Sequence, residues 1–189
     1  MTLIIGVSGR ARHGKTEACL AIAGHVNGYN WDGKLADGSA QLYDIGDLIR
    51  RYCIAGGILP PVERADMNRS QLEILINVGK EKRAANVDFW IGQMLGQIAL
   101  DNPAVALIPN LRYCNEAEAV RNAGGYVVRL NRLNNDGSTF ISEDRPANDI
   151  SETSLEFWPA DFYITQKNGH AGLTADFAIT LYEYLRGAS

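Results

Sequence analysis

Leu3-Ile4-Ile5-Gly6-Val7-Ser8-Gly9-Arg10-Ala11-Arg12-His13-Gly14-Lys15-Thr16 is the stretch on which the fold of this chain turns. Leu3 to Val7 is a short β-branched run that suits a strand buried on both faces. Gly9-x-x-x-x-Gly14-Lys15-Thr16 then satisfies Gly-x4-Gly-Lys-[Ser/Thr] at each specified position. Glycines let the backbone curl until several N–H groups point at one anion, and they leave no side chain in its way. From Lys15 to His25, Ala18, Cys19, Ala21 and Ile22 recur at helical spacing, so the positive end of a helix is delivered to the same place. The strand, turn and helix together read as a cradle for nucleotide phosphates. Lys15 is expected to reach the β- and γ-phosphates, and Thr16 to ligate Mg²⁺. Gly9, Arg12, His13, Gly14, Lys15 and Thr16 are the candidate nucleotide-binding residues, although solvation accounts equally for Arg12, and His13 reads more simply as a loop residue.

Outward from this motif the chain alternates. Gln41 to Ile45, Ala104 to Ile108, Tyr126 to Leu130 and Asp161 to Thr165 read as further strands. A helix carrying Leu48, Ile49 and Tyr52 ends near Gly56-Gly57. Helices are also expected over Ser70 to Ala85, Val87 to Leu100 with Asn86 as N-cap, Asn115 to Asn122, and Leu173 to Arg186. Strands alternating with helices imply βαβ units. The expected fold is therefore α/β, a three-layer single domain over residues 1–189 with a five-stranded parallel sheet. Ligands should gather at the carboxyl ends of the strands. A helical segment at about 60–101 is placed over the acceptor side or at a homodimer face. Asn27 to Ser39 reads as loop, and Asn131 to Ser151, polar and nearly free of apolar residues, as a mobile lid at about 131–151.

Bulk properties set limits. The chain has 189 residues, 46% hydrophobic and 21% charged, enough to bury a core unaided. A formal charge of −4 argues against a surface that coats nucleic acid polymers. Cys19, Cys53 and Cys114 lack CxxC spacing and read as reduced core thiols. No apolar run approaches the roughly 20 residues of a membrane helix, and residues 1–8 lack the charged start of a signal peptide. A soluble, cytoplasmic protein with no membrane partner is expected.

The cradle alone does not name the reaction. A GTPase would carry Asn-Lys-x-Asp, which is missing from the sequence. An ATPase usually shows an apolar strand ending in Asp, and here Ala104 to Ile108 runs into Pro109-Asn110. Short length and a polar, arginine-bearing loop before the last strand favour a small-molecule kinase.

Several further stretches carry a resemblance. They are Ile45-Gly46-Asp47-Leu48-Ile49-Arg50, Leu72 through Gly79 with Arg83 and Trp90, Asn110-Leu111-Arg112-Tyr113-Cys114-Asn115-Glu116-Ala117-Glu118, Gly124-Gly125-Tyr126, Ser151-Glu152-Thr153-Ser154-Leu155 and Asn168-Gly169. In this order, with the loop at their head, they resemble the phage-type deoxynucleoside monophosphate kinases, a branch of the P-loop kinases. Two positions depart from the pattern. Asn110 stands where the family has Asp, and Asp149 where a His precedes Ser-Glu.

The resemblance implies an ATP- and Mg²⁺-dependent transfer to a nucleoside monophosphate, in the host cytoplasm if the chain is phage-encoded. It also implies roles for residues. Arg50, Arg83 and Arg112 would face the acceptor phosphate, because an arginine fork suits bidentate capture; a surface ion pair is the competing role for each. Trp90 would stack the acceptor base, with core packing as the alternative. Asp47 would orient the acceptor or hold Mg²⁺ through water, or merely cap a helix. Arg132 and Arg145, with Arg129, would be lid arginines, and Glu152 would anchor the lid or meet the acceptor. Two other readings stay open: a small P-loop kinase with a dephospho-coenzyme A, sugar acid or nucleoside acceptor, and a nucleotide-binding regulator without activity.

Overall fold

β1 (Leu3–Ser8) is buried from Ile4 onward. In the computed structural model, which describes residues 1–29, 38–143, 146–169 and 171–188, it lies at the centre of a five-stranded sheet. Its neighbours are β3 (Val105–Leu111) and β4 (Tyr126–Leu133), with β2 (Ala40–Leu42) and β5 (Phe162–Lys167) at the two edges. Every neighbouring pair is parallel. Each connection must therefore cross a face of the sheet, which is why helices alternate with strands along the chain.

The alternation of side chains in β1 builds the layers. Ile5 and Val7 join Cys19 and Ile22 of α1 (Lys15–Asn27) and Ala178, Tyr182 and Leu185 of α7 (Ala171–Ala188) in one core. The alternate residues Ile4 and Gly6 meet α5 (Cys114–Asn122) on the other face. There a Cβ on Gly6 would lie 2.4 Å from the side chain of Leu111 in β3, so glycine leaves the room that Leu111 fills, with Val120 of α5 at 3.4 Å. Helices on both faces give the expected three-layer α/β fold.

Three boundaries differ from expectation for visible reasons. The second strand is Ala40–Leu42 and stops short of Ile45, because the Asp44 carboxylate accepts from the Asp47 N–H at 3.1 Å and starts a helix there. The third strand continues past Ile108 through Pro109. The pairing with β1 shifts between Gly6 and Ser8 and β2 ends opposite Leu107, so the missing N–H of Pro109 costs no ladder bond. Within the expected lid, the described residues 131–143 and 146–151 carry hydrogen-bonded structure. β4 runs on to Leu133, whose carbonyl accepts from the Asn168 N–H at 2.7 Å. A tight reversal follows, with Asn134 N–H to the Ser138 carbonyl at 2.8 Å and Phe140 N–H to the Arg132 carbonyl at 2.8 Å. Asp149 then caps α6 (Ile150–Thr153) by accepting from the Ser151 N–H at 2.8 Å. Asp144 and Arg145 lie outside the described residues.

The chain divides into two compact units, Met1–Leu42 with Asn102–Ser189, and Tyr43–Asp101. The second unit holds α2 (Ile45–Ala55), α3 (Arg69–Ala85) and α4 (Phe89–Asp101) around Cys53, Leu59, Met67 and Leu75. Asn68 and Gln71 form a capping box at the start of α3. Asn86 closes α3, and its side chain accepts from the Asp88 N–H in the turn before α4, which begins at Phe89 rather than Val87. No helix among the described residues is long and apolar enough to cross a membrane.

Candidate functional site

Between β1 and α1 the chain makes the cradle its glycines permit. Gly9 has φ 140° and Gly14 φ 89°, both in conformations L side chains rarely adopt, and Arg12 is left-handed at φ 60°. A side chain on Gly9 would also meet the Leu130 carbonyl at 2.5 Å, so this position is closed to any other residue twice over. Lys15, the first residue of α1, is 6% exposed, and its ammonium donates to the Arg10 carbonyl across the loop at 2.8 Å. Thr16 beside it is exposed. The cation therefore stands inside the loop's curl at a helix N-terminus, where an anion would gather both the ammonium and the loop's N–H groups.

His13 has a different part from the one expected. Its ring is 2% exposed and lies 3.1 Å from the Leu130 carbonyl (Nδ1) and 2.9 Å from the Phe140 carbonyl (Nε2). The Arg132 N–H lies 3.2 Å from the same Nδ1. Burial pulls this imidazole below the ordinary histidine value, and Lys15 and Arg10 add to the effect against the two carbonyls. The side chain is a strut tying the loop to β4 and to the reversal beyond it.

A second set of contacts fastens the loop to the chain around α6. Glu152 is 7% exposed and accepts from the Ala11 N–H at 2.5 Å and from Arg112 at 2.7 Å. Burial pushes its carboxyl up, but these two donors and the charges of Arg112 and Lys15 outweigh that and hold it below the usual carboxylate range. One turn on, Glu156 pairs with Arg10 at 3.1 Å, and Arg10 also donates to the Ala147 carbonyl at 2.9 Å. Glu152 thus links the loop to Arg112 just past the end of β3.

Beside the loop opens a cleft of about 500 Å³ lined by Arg12, Gly14, Glu17, Arg132, Gln166, Lys167, Asn168, Gly169 and Thr174. Three cations and one carboxylate give it a net positive lining. Arg132 stacks over Phe140 with its guanidinium 4.3 Å from the ring centroid, donates to the Arg12 carbonyl at 2.8 Å and holds the Asn168 side chain. In this arrangement its guanidinium forms part of the cleft wall at the end of β4. Arg129 is 7% exposed and committed to the Leu155 carbonyl.

The remaining candidates, Asp47, Arg50, Arg83 and Trp90, fall in the Tyr43–Asp101 unit. Trp90 is 1% exposed, donates to the Gly79 carbonyl at 3.0 Å and packs edge-on against Tyr52 and Phe89. In this structure it packs as a core residue of the Tyr43–Asp101 unit. Asp47 and Arg50 are paired at 2.8 Å, and Arg50 also donates to the Val62 carbonyl at 2.7 Å. Each neutralises the other at the start of α2. Arg83 is half-buried in α3.

Sequence reasoning passed over Glu156, Gln166 and Thr174. Gln166 had left a signal. In Phe162-Tyr163-Ile164-Thr165-Gln166 the inward positions of β5 run apolar, apolar, then carboxamide, a polar residue where the period asks for another core side chain.

No family model matches the sequence, and comparison with curated proteins likewise gives no match. Solved structures do match. One is a provisionally named kinase from Chloroflexus aurantiacus J-10-fl, similar over 100% of this chain and 98% of that one, with a TM-score of 0.51 at 13% identity. At that identity the likeness is one of fold alone.

Proposed function

We propose that this chain is an ATP-dependent phosphotransferase that phosphorylates nucleoside monophosphates. The observation that carries the reading is the loop from Gly9 to Thr16, with its glycines at positive φ and Lys15 curled into it at the start of α1. The kinase description of the structural neighbour from Chloroflexus aurantiacus supports phosphoryl transfer in general. The acceptor rests on the ordered motifs that resemble the deoxynucleoside monophosphate kinases.

Phosphoryl transfer asks a protein mainly to hold two charged groups in line and to neutralise the charge between them. Lys15 would leave the Arg10 carbonyl for the donor's β- and γ-phosphates. Gly9 and Gly14 keep the approach open for backbone N–H groups. The cleft with Arg12, Arg132 and Lys167 receives the rest of the donor. Arg112, oriented by Glu152 at the end of β3, presents a fork to the acceptor phosphate. Among the described residues no group of three or more His, Cys, Asp or Glu could hold a metal alone. The exposed hydroxyl of Thr16 is a hard oxygen donor, which fits Mg²⁺ held chiefly by phosphate oxygens. When bound there, Mg²⁺ would supply neutralisation of phosphate charge.

The test is ADP release from Mg·ATP with and without a panel of ribo- and deoxyribonucleoside monophosphates. Stimulation by one or more of them is the expected result. Stimulation only by dephospho-coenzyme A, a sugar acid or a nucleoside would replace the acceptor, and ATP binding without any stimulation would replace the enzyme by a regulator.

A further inference from the structure

Among the described residues, two buried oxygens in the cleft beside the loop have no hydrogen-bond partner. Gln166 is 9% exposed and Thr174 1%, and neither Gln166 Oε1 nor Thr174 Oγ1 has a hydrogen-bond partner. They come from different elements, the end of β5 and the first turns of α7, yet they converge behind one residue. A Cβ built on Gly14 would lie 3.5 Å from Gln166 Nε2 and 3.7 Å from Thr174 Oγ1. Both residues line the cleft that holds Arg12, Arg132 and Asn168. Buried polar atoms are almost always satisfied, and a buried acceptor left alone costs stability without return. Two such atoms at the floor of one opening point to a ligand that completes them.

The chemistry of that ligand follows from where its phosphates would lie. With the phosphates on Gly9 to Thr16, the part of the molecule that extends past Gly14 into the cleft is the nucleoside. A carboxamide offers an acceptor and a donor side by side, the pattern that pairs with the amine and adjacent ring nitrogen of adenine. We propose that Gln166 and Thr174 read the donor base. Gln166 Oε1 accepts from the exocyclic amine of a 6-aminopurine, Gln166 Nε2 donates to a neighbouring ring nitrogen, and the Thr174 hydroxyl completes the contact. A 6-oxopurine puts an acceptor where the amine should be and leaves Gln166 Oε1 facing another oxygen. This inference rests on the loop binding donor phosphates and adds to it the side chains that select the base.

The experiment measures dissociation constants of Mg·ATP and Mg·ITP by calorimetry without acceptor, in the parent protein and in Gln166→Leu, Thr174→Val and Thr174→Ser. The parent should prefer ATP by about tenfold or more, the scale on which a site that has lost a buried hydrogen bond rejects a ligand. Gln166→Leu should collapse that preference by weakening ATP about tenfold and ITP much less. Thr174→Val should weaken ATP, and Thr174→Ser, which keeps the hydroxyl, should restore it. Thermal melting of the free proteins gives a readout apart from binding: Gln166→Leu should melt no lower than the parent, because it removes an unpaired acceptor. An unchanged ATP-to-ITP ratio in a folded Gln166→Leu or Thr174→Val protein overturns the inference while leaving the donor site standing. Binding of neither nucleotide by the parent overturns the donor site itself, and base reading with it.

Discussion

Lys15 has the most directly readable consequence of any side chain in the loop. Its ammonium spans the curl to the Arg10 carbonyl, and in turnover it would neutralise the transferring group. Lys15→Ala should lower kcat by about 10²–10³ or more, the usual loss when one preorganised donor is removed from a developing charge. Its circular dichroism should match the parent, and activity within threefold of the parent would remove the loop from the donor site. His13 and Glu152 give pH-dependent signatures. His13 has a folded pKa below the unfolded one, so its neutral, buried form contributes stability above the ordinary histidine value that is lost as pH falls. The melting temperature of the parent should decline from pH 7 to 5 (~6.5 being the unperturbed value), and His13→Gln should flatten that decline. Glu152 is depressed as well, so its contribution is present above the unfolded carboxylate pKa of about 4.3 and disappears as pH falls through its own. Glu152→Gln should cost about 1.5–3 kcal/mol at pH 7, the range for a charged hydrogen bond, and almost nothing in strong acid. A constant difference across that range would mean the carboxylate charge plays no part. The loop itself was legible in the sequence because its glycines and lysine are a local code. The inward turn of His13 was not, because it depends on the Leu130 and Phe140 carbonyls, more than a hundred residues away.

Among elements, the strands were read nearly to their ends, since five short β-branched runs between helical patterns leave few alternatives. Errors fell where a single polar contact overrides the local pattern. Asp44 turns the tail of the second expected strand into a helix start, and a shifted register carries β3 through a proline. The segment after Leu130 carries more hydrogen-bonded structure than expected. Its apolar residues are sparse and aperiodic, so the sequence looked like free loop. Leu133 and Phe140 nevertheless suffice to extend β4 and fold the chain back beneath Arg132. Trypsin should therefore not cut after Arg132 in the native protein, and early tryptic fragments identified by mass should lack that terminus. Rapid cleavage there without ligand would restore the mobile lid. Phe140→Ala should remove the Arg132 stack and the apolar cover of His13, and accelerate that same cleavage.

At the level of the whole chain, two compact units each carry a core, one spanning the sheet with α1 and α7 and one within Tyr43–Asp101. The sequence showed the helical segment but not its division of labour. Trp90, Arg50 and Asp47 looked like acceptor groups because they fall in family-like motifs. Their neighbours in space, Gly79, Val62 and each other, give them structural work instead. Of the candidate site residues, Lys15, Thr16, Arg12, Arg132, Arg112 and Glu152 lie in the sheet-bearing unit. The most direct measurement is the fate of label from ATP carrying it in the γ-phosphate, incubated with Mg²⁺ and a mixture of nucleoside monophosphates. The account predicts label in a nucleoside diphosphate with the parent protein and none there with Lys15→Ala. Label released only as inorganic phosphate, or diphosphate formed equally by Lys15→Ala, would contradict it.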